Sequence, residues 1–239
     1  MTRSSHMRLL ALAGLLALSL LLAACGDDPG SAGAGPRPDP PAERRATTVV
    51  AALGDSITAG TPLWDPDPSV RAQIGPALDE RSQWAYWYER DHPGTEVRNC
   101  GINGQRTDEI AQRLDGCARG ADVLVVQGGI NDIAQGRPVA DAADDLDTMV
   151  RRGKAAGLRV AMVELLPWNN GYPAAAPLID DLNRRIRAIG RREGVPVAPW
   201  YTALEDPAAP GRMRTDLTIE GDHPSVAGYR RLAARVRIP

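Results

Sequence analysis

Short apolar runs alternate with amphipathic stretches along most of the chain. Thr47 to Leu53 is β-branched and apolar and stops at Gly54-Asp55, the pattern of a buried strand. Asp122 to Gln127, Leu158 to Leu165 and Val195 to Pro199 repeat it, and Thr95 to Asn99 is a weaker version. Between them, Ser82 to Arg90, Thr107 to Cys117, Val139 to Ala156 and Ala175 to Glu193 carry charges on one face and Ala, Leu or Ile on the other. That periodicity predicts helices. Thr107, followed by Glu109-Ile110, and Ser225, before a helical C-terminus, fit helix N-caps. Strands alternating with helices of this length predict an α/β fold, a three-layer α/β/α sandwich around a central parallel sheet of about five strands. Ligands of such sheets bind at the carboxyl ends of the strands.

Two stretches break the pattern. Thr61 to Glu80 holds Pro62, Pro66, Pro68 and Pro76 with Trp64, and Pro167 to Pro177 holds Trp168, Asn169, Asn170 and Tyr172. Long loops beside strand ends build binding sites, which makes Trp64 and Trp168 candidate substrate contacts. The aromatic run Ser82-Gln83-Trp84-Ala85-Tyr86-Trp87-Tyr88 would put Trp84 and Trp87, or Tyr88, on one helical face. That face serves core packing or, alternatively, an aromatic wall for substrate.

The N-terminus carries a targeting pattern. Arg3 and Arg8 precede an apolar run from Leu9 to Ala24, which ends in Leu22-Ala23-Ala24-Cys25. This ending resembles the lipobox of bacterial lipoproteins, in which the cysteine is lipidated and becomes the new N-terminus. Residues 1–24 are therefore expected to be a lipoprotein signal peptide and Cys25 the lipidation site. Residues 25–45, rich in Gly, Pro, Ala and Asp, are expected to form a flexible tether, and residues 46–239 the folded domain. The implied location is extracytoplasmic, with membrane contact through the lipid.

Composition narrows the function. The chain of 239 residues is 43% hydrophobic and 24% charged, as in globular proteins, and its net charge of −2 gives no basic surface for nucleic acid. Beyond Cys25, only Cys100 and Cys117 remain. Outside the cytoplasm they can pair, closing a loop of about 18 residues worth roughly 3 kcal/mol in the chain-entropy model. No ligand spacing for a metal is present and no cofactor is expected. A monomer is favoured, although the sequence itself carries no oligomeric signal.

The chemistry gathers after the strands. Ser56, in Gly54-Asp55-Ser56-Ile57-Thr58, follows the first run, and a serine hydroxyl needs a general base to act as a nucleophile. Of three histidines, His6 lies in the targeting segment and His92 precedes a proline at a helix end. His223, in Glu220-Gly221-Asp222-His223-Pro224-Ser225, is the credible base. Thr58 stands where a Gly-x-Ser-x-Gly elbow has its last glycine, which argues against the α/β-hydrolase pattern. Asp55 is read as making a hydrogen bond that stabilises the turn.

Four blocks in order resemble the SGNH hydrolases, or GDSL lipase/esterase family. They are Gly54 to Thr58; Asn99-Cys100-Gly101-Ile102-Asn103-Gly104 with Thr107 after it; Gly128-Gly129-Ile130-Asn131-Asp132; and His223-Pro224-Ser225. The resemblance covers about Val49 to Tyr229 and implies a flavodoxin-like sheet. It implies Ser56 as nucleophile, His223 as base, and an oxyanion hole from the backbone N–H groups of Ser56 and Gly104 and the amide of Asn131. The family has aspartate three residues before the histidine, where this chain has Glu220. Glu220 is expected to orient the imidazole, with Asp222 as the alternative. The expected function is cleavage of acyl or acetyl esters of a saccharide or lipid through an acyl-enzyme. The alternatives are a non-catalytic envelope binding module and an acyltransferase.

Overall fold

The computed structural model describes residues 47–238. The signal peptide, Cys25 and the tether expected from the sequence lie outside them. In chain order the elements are β1 (Thr48–Gly54), α1 (Ser56–Ala59), α2 (Pro68–Ile74), a 3-10 turn (Gly75–Ala77), α3 (Trp84–Asp91), β2 (Thr95–Gly101), α4 (Thr107–Gln112) and α5 (Leu114–Ala118). Then follow β3 (Val123–Val126), α6 (Ile130–Ala134), α7 (Val139–Ala155), β4 (Arg159–Val163), α8 (Ala176–Glu193) and β5 (Val197–Ala198). The chain closes with α9 (Trp200–Leu204), β6 (Glu205–Asp206), β7 (Ala209–Met213) and α10 (Val226–Ala233).

Five strands make one parallel sheet in the order β2-β1-β3-β4-β5. This is the flavodoxin-like order, with its switch point between β1 and β3. Side chains alternate across β1, so both faces are buried. Val50 and Ala52 pack with Trp84, Trp200, Tyr229 and Leu232 from α3, α9 and α10. Ala51 and Leu53 pack with Ile110, Leu146, Met149 and Leu182 from α4, α7 and α8. The result is the three-layer α/β/α sandwich.

Several elements differ from the pattern-based expectation. β2 runs the full Thr95–Gly101 and pairs with β1 along its whole length. Its pattern is weak because it is an edge strand, where Glu96 and Arg98 can reach solvent and Val97 alone supplies an apolar β-branched core contact. The helix expected over Thr107 to Cys117 is two helices that meet at Arg113. The Arg113 guanidinium turns inward and donates to Gly54 O, Cys100 O and Gln105 Oε1. Thr107 is the first residue of α4 and not its cap; the Glu109 carboxylate accepts the Arg106 N–H instead, at 2.9 Å. The proline-rich segment 61–80 contains α2, capped by Asp67 accepting from Ser69 N. The antiparallel pair β6–β7 was not foreseen, since two-residue β6 is too short for a period to register.

The aromatic run is core: Trp84, Trp87 and Tyr88 are buried, and Trp84 meets both Tyr88 and Trp200 edge-on at 6.1 Å. Cys100 and Cys117 form a disulfide with a Cα–Cα distance of 6.1 Å, tying α5 to edge strand β2.

Gly101 ends β2 directly beneath α1. A Cβ there would press on the Ala59 backbone and on Asp55 O, 2.7 Å away. Gly101→Ala should therefore push α1 outward and cost about 1–3 kcal/mol by overpacking. A lowered thermal midpoint checks this, and an unchanged one would show that α1 is not held against β2.

Candidate active site

Ser56 opens α1 two residues past the end of interior strand β1. The turn is held from two directions. Asp55 Oδ1 accepts the Ile57 N–H at 2.9 Å, capping the helix as a turn-stabilising acceptor. Gln127, the residue after β3, accepts the Asp55 N–H at 3.0 Å and the Thr58 hydroxyl at 2.9 Å through one buried oxygen. The neighbouring strand thus fixes the serine-bearing turn.

His223 arrives on a loop. Its backbone oxygen accepts from Ile219 N and the Thr218 hydroxyl, and Thr218 Oγ1 accepts the Gly221 N–H, which closes residues 218–223 into a tight bend. Ser225 caps α10 by accepting from Gly228 N at 3.2 Å. The segment 168–170 clamps the bend. Trp168 Nε1 donates to Asp222 Oδ1 at 2.6 Å, Asn169 N donates to Gly221 O at 3.0 Å, and Asn170 Nδ2 donates to Glu220 O at 2.9 Å.

This brings His223 Nε2 to 3.0 Å from Ser56 Oγ, while Nδ1 bonds the Glu220 carboxylate. A carboxylate only accepts, so Nδ1 carries the proton and Nε2 is left to accept from the serine hydroxyl. Asp222 is not in contact with the imidazole nitrogens; its oxygen is taken by Trp168.

Asn131 lies on α6, just beyond β3. Its Nδ2 donates one hydrogen to Gln105 O at 2.9 Å, and the second remains available. Gly104 adopts φ 77°, a backbone state that suits glycine, and its carbonyl accepts from Gln135 Nε2 at 3.0 Å. A buried network beneath holds this loop. Asp132 accepts from Thr107 N, the Thr107 hydroxyl and Arg137 Nη1, and Arg137 also pairs with Asp145 at 2.7 Å. Burial works against the Arg137 charge, but the two carboxylates keep its pKa above the ordinary value.

A pocket of about 130 Å³ results, lined by Ser56, Asn103, Asn131, Ala134, Trp168 and His223, among others. Gly104 adjoins Asn103 in the chain but does not itself line the pocket, and Trp64 lines a neighbouring cavity instead. His92 is on the surface, stacked on Tyr88 at 4.0 Å. Among the described residues no cluster of three His, Cys, Asp or Glu side chains is placed to hold a metal ion.

A serine–histidine–carboxylate line at the carboxyl ends of a parallel sheet, at its switch point, defines the class: an α/β/α hydrolase. The chain belongs to the GDSL-like lipase/acylhydrolase family, whose model matches residues 52–231. It is an ester hydrolase in the coarse sense that family membership carries. No curated protein matched the chain. Solved structures with the same fold include a G-D-S-L family protein from Desulfitobacterium hafniense (20% identity, 79% of this chain and 97% of that one, TM-score 0.65). A GDSL-like lipase from Bacteroides thetaiotaomicron (20%, 80% and 85%, TM-score 0.61) and a lipase/acylhydrolase from Enterococcus faecalis (23%, 78% and 92%, TM-score 0.62) are similar to the same extent.

Gln127, Arg113 and the Trp168–Asp222 bond were not singled out from the sequence. Gln127 had a usable signal, a polar residue closing a run that is otherwise apolar. The other two depend on contacts between distant segments and had none.

Asp55 is fully buried, and its Oδ2 has no hydrogen-bond partner. Burial raises its pKa to about 6, against the opposing pull of the Ile57 N–H, Gln127 and His223. A raised carboxyl pKa means stability that is complete below the unfolded value, near 4, and is lost as pH rises through about 6. The loss is up to about 3 kcal/mol, from about two units at 1.36 kcal/mol each. Asp55→Asn keeps the cap and lacks the titration. Urea unfolding in steps from pH 4 to pH 8 should show the variant gaining on the wild type across that window; parallel curves would place the Asp55 pKa near its ordinary value.

Proposed function

We propose that this chain is a serine esterase that forms an acyl-enzyme on Ser56. The observation that carries the reading is the 3.0 Å Ser56 Oγ–His223 Nε2 contact, with Nδ1 engaged by Glu220. His223 takes the hydroxyl proton as Ser56 attacks the ester carbonyl. The backbone N–H groups of Ser56 and Gly104 and the free hydrogen of Asn131 Nδ2 receive the oxyanion, each typically worth about 3 kcal/mol of barrier. The imidazolium then protonates the departing alcohol, and water releases the acid by the same steps in reverse.

Glu220 orients the imidazole in this reading. Asp222 makes no hydrogen bond to the imidazole, whose Nδ1 meets Glu220; its own Oδ1 accepts from Trp168 at 2.6 Å. The Glu220 side chain is 38% exposed. Solvent therefore screens its charge, and its contribution should fall short of that of a buried aspartate. The substrates are acyl esters of a saccharide or lipid. Export with a lipid on Cys25 belongs to the same proposal, supported by Leu22-Ala23-Ala24-Cys25 and by a Cys100–Cys117 disulfide suited to an oxidising compartment.

A fluorophosphonate probe should label the folded wild type at Ser56 and leave Ser56→Ala unlabelled; absence of label on the folded wild type would point to a binding module. Glu220→Ala should lower kcat about a hundredfold. Asp222→Ala, which frees Trp168 but spares the imidazole, should lower it much less. Steady-state kinetics on a p-nitrophenyl ester decides between them, and the reverse ranking would reassign the carboxylate.

A further inference from the structure

Two cavities adjoin the catalytic pocket, and they are unequal. On the Trp168 side, Leu165, Leu166 and Trp200 help to enclose about 20 Å³, room for roughly one water and no substrate group. On the Asn103 side, about 520 Å³ opens between residues 61–74 and the end of β2. That is within the usual range of ligand sites, roughly 300–1,000 Å³. Asn103 lines both this cavity and the catalytic pocket, so the two adjoin.

The larger cavity is built from apolar side chains the core does not use. Trp64, Val70 and Ile74 form one wall and Ile102 the other. α2, which supplies Val70 and Ile74, has no buried residue at all. Val70 and Ile102 remain 37% and 43% exposed, although both are large and apolar. The charged groups present are already committed. Asp65 and Asp67 accept from the backbone of Asp67 and Ser69, and Arg113 donates to two carbonyls and Gln105. Two carboxylates in the lining also disfavour an anionic ligand.

Direction assigns the occupant. The departing alcohol must receive its proton from His223 Nε2, so it lies on the His223 side of the reacting carbon. The large cavity is lined by neither His223 nor Trp168. We infer that the cavity between Trp64, Val70, Ile74 and Ile102 takes the hydrocarbon chain of the acyl group, which makes the substrates medium-chain acyl esters and not acetyl esters. This rests on Ser56 acting as an esterase nucleophile.

The experiment uses p-nitrophenyl acetate, butyrate, hexanoate and octanoate, which hold the alcohol constant, and octyl acetate, which lengthens the alcohol instead. Wild-type kcat/KM should rise about fourfold for each methylene the cavity covers, the transfer free energy of a CH₂ group. Val70→Trp and Ile102→Trp fill the cavity from its two walls. Each should lower the octanoate-to-acetate ratio of kcat/KM at least tenfold. Leu178→Trp, an exposed position on α8 outside both cavities, should keep the wild-type ratio. Thermal unfolding verifies that the variants fold, and their exposed positions on separate elements leave two independent readings. An unchanged ratio in both variants overturns the assignment. So does a loss confined to acetate esters of long alcohols, which would place the alcohol there. A wild type that hydrolyses no ester and takes no fluorophosphonate overturns the esterase reading itself; an active enzyme with a flat chain-length profile overturns the cavity assignment alone.

Discussion

One hydrogen bond joins residues 167 positions apart, Ser56 near the start of the folded domain and His223 near its end. It fails if either side moves by about an ångström, and the two sides meet that tolerance in different ways. Ser56 follows the strand that has a hydrogen-bonded neighbour on each side, β2 and β3, so the sheet sets its position. Gln127 then locks the turn to the adjacent strand end. His223 has no strand behind it. Its position comes from a bend closed by Thr218 and from three bonds donated by residues 168–170. Trp168 therefore lines the pocket and also holds the loop that carries the histidine.

The arrangement gathers buried polar groups at the strand ends of a largely apolar core. Asp55, Ser56, Thr58, Thr107, Gln127 and Asp132 are all buried there. Nearly every one of their side-chain polar atoms has a partner, as buried polar atoms must if they are not to cost a full desolvation penalty. Asp132 illustrates the economy: one carboxylate takes the backbone and hydroxyl of Thr107 and the guanidinium of Arg137, and so fixes the turn beside Asn131. Asp55 Oδ2 is the exception. A buried carboxylate oxygen without a partner beside Ser56 is the kind of local cost that a functional site carries and the surrounding sheet outweighs.

The fold was legible because its signal is periodic. β3, β4 and β5 lie inside the apolar runs read from the sequence, β1 passes the end of its run by one residue, and α7 and α8 begin and end within a residue of the amphipathic stretches. β2 was faint because an edge strand need not be apolar along its length. The α4–α5 break was invisible, since Arg113 is a good helix former whose role here is to reach Gly54, Cys100 and Gln105. Local chemistry misled at Thr107: a threonine ahead of Glu109 looks like a cap, but its hydroxyl is drawn to Asp132, a partner 25 residues away. At the site, ordered motifs gave residue types and sequence order. They could not give which carboxylate meets the imidazole, because Glu220 and Asp222 differ only in what occupies Asp222, and Trp168 comes from a loop more than fifty residues upstream.

The segment after Ser56 is where this chain departs from a bare sheet-and-helix frame. It is tied to both halves of the Ser56–His223 pair. The backbone oxygen of Ser56 accepts from Gly60 and Thr61, Trp64 N donates to Gly60 O, and the Tyr229 hydroxyl, on the helix that follows His223, donates to Thr61 O at 3.2 Å. Within the segment, Arg71 donates to Asp65 O and Pro66 O and lies over the Trp64 ring at 4.8 Å. These bonds order a loop whose apolar side chains contribute little to the core. A loop rigid at its root and apolar at its free face can alter what the enzyme accepts without disturbing the sheet. On the proposed acyl-chain assignment, selectivity is separable from chemistry: the strands hold Ser56 and its partners, and residues 61–74 shape the space beside them.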